Sequence, residues 1–213
     1  MPNRLYEFIR MNLQMKQDAE PSEGGDNKKD LLINYGCWCQ LRGDAPRGQG
    51  EPVDALDAAC KEWHQCRACT KIDDRSCNPN DAPFYTFDYS DFAGAGNDLC
   101  GKNEGCALHN CQCDQQLGFM LGYFYVSQIK MQYVTNLDGS GFDYKNQCKT
   151  SSSGGADGAG VDENNNVIGT PTGLTDWGFE CCGTYPYRVP YKTNRNSCCL
   201  GMFWYDVVAL GAC

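Results

Sequence analysis

Pro52-Val53-Asp54-Ala55-Leu56-Asp57-Ala58-Ala59-Cys60-Lys61-Glu62-Trp63-His64-Gln65-Cys66 is the stretch on which the reading of this chain turns. From Val53 to Thr70 no proline interrupts and apolar residues recur at helical spacing, which predicts a long helix. A second segment of the same kind runs from Glu104 to Tyr133, weakened in its far half by Gly118 and Gly122. Between the two, Asn78 to Asn97 alternates aromatics with aspartates and holds Pro79 and Pro83, so a loop or short hairpin is expected. Upstream, Leu5, Phe8, Ile9 and Met11 share one helical face and predict a short amphipathic helix, followed by a polar loop from Gln17 to Asp30. Downstream, Thr150 to Thr175 is rich in Ser, Gly and Asn and reads as a linker, with a cysteine-rich tail beyond it.

Sixteen cysteines in 213 residues point to covalent stapling and an oxidising compartment. Met1-Pro2-Asn3-Arg4 has no apolar signal core, yet so many thiols suit an oxidising compartment, so the numbering is expected to begin at a processed or artificially chosen terminus. No apolar run approaches the roughly eighteen residues that span a bilayer, because the best candidate, Phe203 to Cys213, is broken by Asp206. A net charge of −9 argues against nucleic acid and against docking on anionic lipid. The acids concentrate in Asp73 to Asp98 and in Asp157 to Glu180, which read as solvated loops. Calcium is possible at this acidic surface, and no cofactor is required by the reading.

Three segments line up with one family. Tyr35-Gly36-Cys37-Trp38-Cys39 matches a calcium-loop opening, the stretch from Pro52 to Cys66 matches an active-site helix, and Cys106, Cys111, Cys113 and Asp114 match its antiparallel partner helix. With Leu5, Phe8 and Met11 on a first helix, the chain from about residue 3 to 149 resembles secreted phospholipase A2. Two cysteines that the family bonds to each other are replaced here by Ala59 and Met120, a joint loss that a shared fold predicts. The resemblance implies the pairs Cys39–Cys60, Cys66–Cys113, Cys77–Cys106, Cys100–Cys111 and Cys37–Cys148. It leaves Cys69 with Cys181, Cys182, Cys198, Cys199 and Cys213, whose pairing stays open although Cys69 must reach the tail. The implied fold is mainly α and disulfide-rich: two long antiparallel helices, a short N-terminal helix and an irregular tail. Expected boundaries are 1–149 for this domain, 150–176 for the linker and 177–213 for the extension.

The same resemblance locates a chemistry that this chain lacks. Where the family has the histidine that activates water stands Trp63, and where it has the calcium-binding aspartate stands His64. An indole donates but has no basic lone pair, so Trp63 cannot take a proton from water. Neighbouring helical positions differ by about 100°, and bridges at Cys60 and Cys66 would keep the helix in register, so His64 is not expected to slip into the vacated role. Calcium would polarise the ester and stabilise the oxyanion, but His64 is a nitrogen donor and a poor partner for a hard cation. Trp38, Gln40, Gly48 and Gly50 are the calcium-loop candidates, within a loop longer than the family's and with Gln40 where a glycine is usual. Asp114, with Tyr85 or Tyr89, is expected to persist from the supporting network and to accept from the Trp63 indole N–H. His64 then reads as a partly buried helix histidine. His109 reads as structural, the sharper alternative being a two-histidine zinc site.

Arg42-Gly43-Asp44 lies in the lengthened loop and is the tripeptide that integrins recognise, a short match that chance also supplies. The tail, with Cys181-Cys182 and Cys198-Cys199 among aromatic and proline-rich turns, resembles dicysteine repeats of galaxin-type matrix proteins. Adjacent cysteines seldom bond each other, so each pair should tie two different strands. The tail is either a surface for another protein or a cap folded onto the main domain. The expectation is a secreted, non-catalytic structural or matrix protein binding other extracellular proteins, itself, a lipid or a mineral surface. The rivals are a calcium-dependent phospholipase A2 and a lipid- or receptor-binding module.

Overall fold

The computed structural model describes residues 34–40, 48–77, 85–86, 99–125, 129–135, 140–148, 179–201 and 205–213. Helix α1 spans Ala55–Asp73 and α2 spans Gly105–Tyr125. A one-turn 3-10 helix at Met131–Tyr133 and the short α3 at Tyr144–Gln147 follow. Asp54 caps α1 by accepting from the Asp57 N–H, one of the four amides a helix start leaves without an internal partner. Lys71 lies in its last turn, where a cation is favoured by the helix dipole.

The two long helices run antiparallel, because partners on α2 fall in number as those along α1 and just past its end rise: Trp63 meets Asp114, Cys66 meets Cys113 and, beyond α1, Cys77 meets Cys106. Their shared core buries Tyr35, Trp38, Leu56, Trp63, Leu117, Leu121, Val134 and Phe142. Each large side chain there contributes about 1.5–3 kcal/mol of burial. A smaller cluster packs Tyr85 and Leu99 over the Cys100–Cys111 bridge. Helix α2 stops at Tyr125, short of the expected Tyr133. The apolar spacing continues past it because Ile129, Tyr133 and Val134 pack on the same core from backbone outside α2.

All sixteen cysteines are paired. Five bridges join Cys37–Cys148, Cys39–Cys60, Cys66–Cys113, Cys77–Cys106 and Cys100–Cys111. The remaining three are Cys69–Cys181, Cys182–Cys198 and Cys199–Cys213, so each adjacent pair ties two different partners.

The tail, expected to be irregular, contains two antiparallel ribbons: β1 (Phe179–Cys182) with β2 (Val189–Lys192), and β3 (Asn196–Leu200) with β4 (Tyr205–Ala209). Gly183 turns at φ +95, where an added Cβ would sit 2.8 Å from the Tyr187 carbonyl oxygen. The first ribbon docks on the end of α1. Tyr185 Oη donates to Asp73 Oδ2 at 2.7 Å, Arg188 pairs with the same carboxylate, and His109 of α2 stacks on the Tyr185 ring at 3.9 Å. Among the described residues no helix is long and apolar enough to cross a membrane. The expected N-terminal helix with Leu5, Phe8, Ile9 and Met11, the Arg42-Gly43-Asp44 tripeptide, Tyr89, almost all of the Asn78–Asn97 segment and the 150–176 linker lie outside the described residues.

Candidate functional site

One face of α1 organises the site. Asp57, Cys60 and His64 are spaced i, i+3, i+7 and so project from the same side of the helix. All three grip the segment Cys37–Cys39. The Asp57 carboxylate accepts from the backbone N–H of Cys37 at 2.8 Å, Trp38 at 2.7 Å and Cys39 at 3.1 Å, and from Val53 N–H at 3.0 Å. Cys60 is bridged to Cys39. His64 Nε2 lies 3.0 Å from the Trp38 carbonyl oxygen, and because that oxygen can only accept, Nε2 carries the proton. Gly36 sits at φ +57 directly over Asp57, and a Cβ there would be 2.4 Å from the carboxylate carbon.

The Trp38 side chain closes the loop from within. Its indole Nε1 donates to the Gly50 carbonyl at 2.9 Å, and Gly48 lies flat on the ring, where a Cβ would approach to 2.3 Å. Gln40 donates from Nε2 to the Gly36 carbonyl at 2.9 Å. The four loop positions singled out in the sequence are therefore in one place, held by one another and by α1.

On the next turn of α1, Trp63 is buried and donates from Nε1 to Asp114 Oδ1 at 2.6 Å, while Tyr85 Oη donates to Asp114 Oδ2 at 2.5 Å. Arg67, one turn further, places its guanidinium 4.9 Å from the Trp63 ring and a terminal nitrogen 3.9 Å from Asp114. Burial pushes the Asp114 carboxyl above the usual carboxylate range, opposed by Arg67 and by the two donors. Burial likewise raises Asp57, opposed by its four amides. The Trp63 ring also meets the His64 imidazole edge-on at 4.7 Å between centroids, so the two exchanged residues pack on each other.

Asp57 and Arg67 were not among the residues the sequence reading singled out. Arg67 had a usable signal, four residues beyond Trp63 on the same helical face. Asp57 lies within the decisive stretch, but its four donors come from Cys37, Trp38, Cys39 and Val53, and no local pattern announces them. His109 lies away from this site, stacked on Tyr185 at the junction with the tail, with no second histidine beside it among the described residues.

The calcium ion that the resemblance implies needs oxygen ligands. Here the Trp38 carbonyl takes the His64 N–H, the Gly50 carbonyl takes the Trp38 indole N–H, and the nearby Asp57 carboxylate is filled by four amides. Among the described residues these three oxygen groups are already taken by N–H donors, and His64 offers a nitrogen donor, an arrangement that does not fit a hard cation.

The chain is 37% identical over 83 residues to the Basic phospholipase A2 vipoxin B chain of Vipera ammodytes meridionalis, covering 39% of this chain and 57% of that protein. It is 37% identical over 84 residues to the Acidic phospholipase A2 KBf-grIB of Bungarus fasciatus, covering 39% and 55%. It is 29% identical over 119 residues to the Phospholipase A2 of Calliactis polypus, covering 56% and 64%. The chain thus spans about half the length of the snake relatives it matches. The Phospholipase A2 family profile matches residues 13–123, more than half of the 213. With the helix pair and its bridges in place, the chain belongs to the phospholipase A2 family.

Proposed function

We propose that this chain is a secreted, non-catalytic member of the phospholipase A2 family that works by binding or self-assembly, as a structural or extracellular matrix component. The observation that carries the proposal is the Trp63–Asp114 hydrogen bond. In that position a general base would have to accept a proton from water, and the indole nitrogen has only a proton to give. Asp114 keeps its carboxylate, yet it supports an aromatic plug instead of an imidazole. Sixteen paired cysteines support an oxidising, extracellular location. The tail presents Tyr187, Leu200, Tyr205 and Leu210 to solvent, large apolar groups of the kind that anchor contacts with other proteins.

The test is ester hydrolysis on mixed micelles and anionic vesicles in millimolar calcium. The expected result is no fatty acid release above buffer. Hydrolysis that disappears in both His64→Ala and Asp114→Asn would restore the enzyme reading. A second measurement addresses the matrix role: the protein should self-associate or change the growth of a calcium mineral. An inert monomer in millimolar calcium argues against that role.

A further inference from the structure

We propose that the His64 N–H is a built-in substitute for the cation at the Cys37–Cys39 loop, so that this loop holds its shape without calcium. The inference extends the non-catalytic reading of the site. A metal bound in such a loop gathers backbone carbonyls that would otherwise splay apart. In this chain the gathering is done by one helix. Asp57 takes the three successive amides of Cys37, Trp38 and Cys39, and His64, two turns along the same face, donates to the carbonyl of Trp38. Both the N–H and the C=O of Trp38 are therefore held by side chains of α1, and the Cys39–Cys60 bridge fixes the distance between them.

The remaining parts agree. His64 and Trp38 are buried, so the N–H to carbonyl bond forms away from competing water. The Gly50 carbonyl, a second loop oxygen, is bonded by the Trp38 indole. A calcium ion entering here would have to displace two buried N–H donors and offer them no new acceptor.

The experiment uses the full oxidised chain. Its melting temperature is measured in EDTA, in millimolar calcium and in millimolar magnesium, with the magnesium arm separating a specific site from general screening of the acidic surface. Equal midpoints in calcium and magnesium are expected. A saturable rise specific to calcium overturns the proposal. Amide exchange supplies an independent arm: His64→Ala should lower protection of the Trp38 and Cys39 amides by about tenfold or more, whereas His64→Gln, which keeps a donor near Nε2, should retain most of it. Unchanged protection in His64→Ala also overturns it. Should the micelle assay find hydrolysis while melting stays indifferent to calcium, the non-catalytic reading fails and this proposal stands; a calcium-specific shift without hydrolysis gives the reverse.

Discussion

Trp63 Nε1 and Asp114 Oδ1 lie 2.6 Å apart across the interface of the two long helices, both residues buried. The bond is charge-assisted and one of three interactions that offset the burial of the carboxylate, with Tyr85 and Arg67 supplying the others. Trp63→Phe keeps an aromatic ring but removes the donor and part of the volume. Stability should fall by about 2–4 kcal/mol, from one unsatisfied buried acceptor plus a small cavity. Denaturant unfolding of the oxidised protein measures it, and a change within error would show that Asp114 does not depend on the indole.

The loop anchor makes a stronger claim. Asp57→Asn keeps the shape of the side chain but turns one acceptor oxygen into an N–H donor facing backbone N–H groups. A loss of about 2–4 kcal/mol is expected, larger than for Asp74→Asn on the exposed surface. Comparable losses at the two positions would mean that the four amides are satisfied some other way.

Gly36→Ala tests the same contact from the opposite side. The residue would carry a Cβ at φ +57, 2.4 Å from the Asp57 carboxylate carbon, so either the backbone or the carboxylate must move. The expected cost is about 1–3 kcal/mol for the strained conformation, with a further loss if the Asp57 bonds break. In a double-mutant cycle with Asp57→Asn the two losses should fall short of additive, because both act through one contact. Strict additivity would separate them.

How far the sequence revealed this arrangement depends on where each signal lies. Helix α1 was legible from its own apolar spacing, and the pairing of Cys60 and Cys66 to different partners from the cysteine pattern of the family the chain resembles. The Trp63–Asp114 contact followed from the same register. The grip of Asp57 and His64 on residues 37–39 was not legible: the atoms it holds are backbone N–H and C=O groups, which any sequence supplies, so no side-chain pattern marks them. The tail ribbons were missed because Pro186, Pro190 and paired cysteines interrupt the alternation that marks a strand, and cross-links take the place of an apolar face.

The Cys69–Cys181 bridge closes a loop with a sequence separation of 112 residues, which in the chain-entropy picture restrains the unfolded state by about 4–5 kcal/mol. Cys69→Ser combined with Cys181→Ser should lower the melting temperature by many degrees. The Tyr185 and Arg188 contacts to Asp73 should keep the first ribbon docked below the new midpoint. Chemical shifts of the ribbon that match the parent protein below that midpoint would bear this out. Loss of docking at all temperatures would assign the junction to the bridge alone.

The junction also carries a pH dependence. Burial lowers the His109 pKa below its usual value, Arg188 adds to the lowering and Asp73 opposes it, while Tyr185 covers the ring. A histidine with a depressed folded pKa contributes stability above its unfolded pKa of about 6.5, and that contribution is lost as pH falls through the folded value. The melting temperature of the parent protein should therefore drop more between neutral and mildly acidic pH than that of His109→Phe, which keeps the stack on Tyr185 but has nothing to protonate. Asp73 and Arg188 are common to both proteins, so the difference between the two curves isolates the imidazole. Parallel curves would show that protonation of His109 does not weaken the seat of the tail.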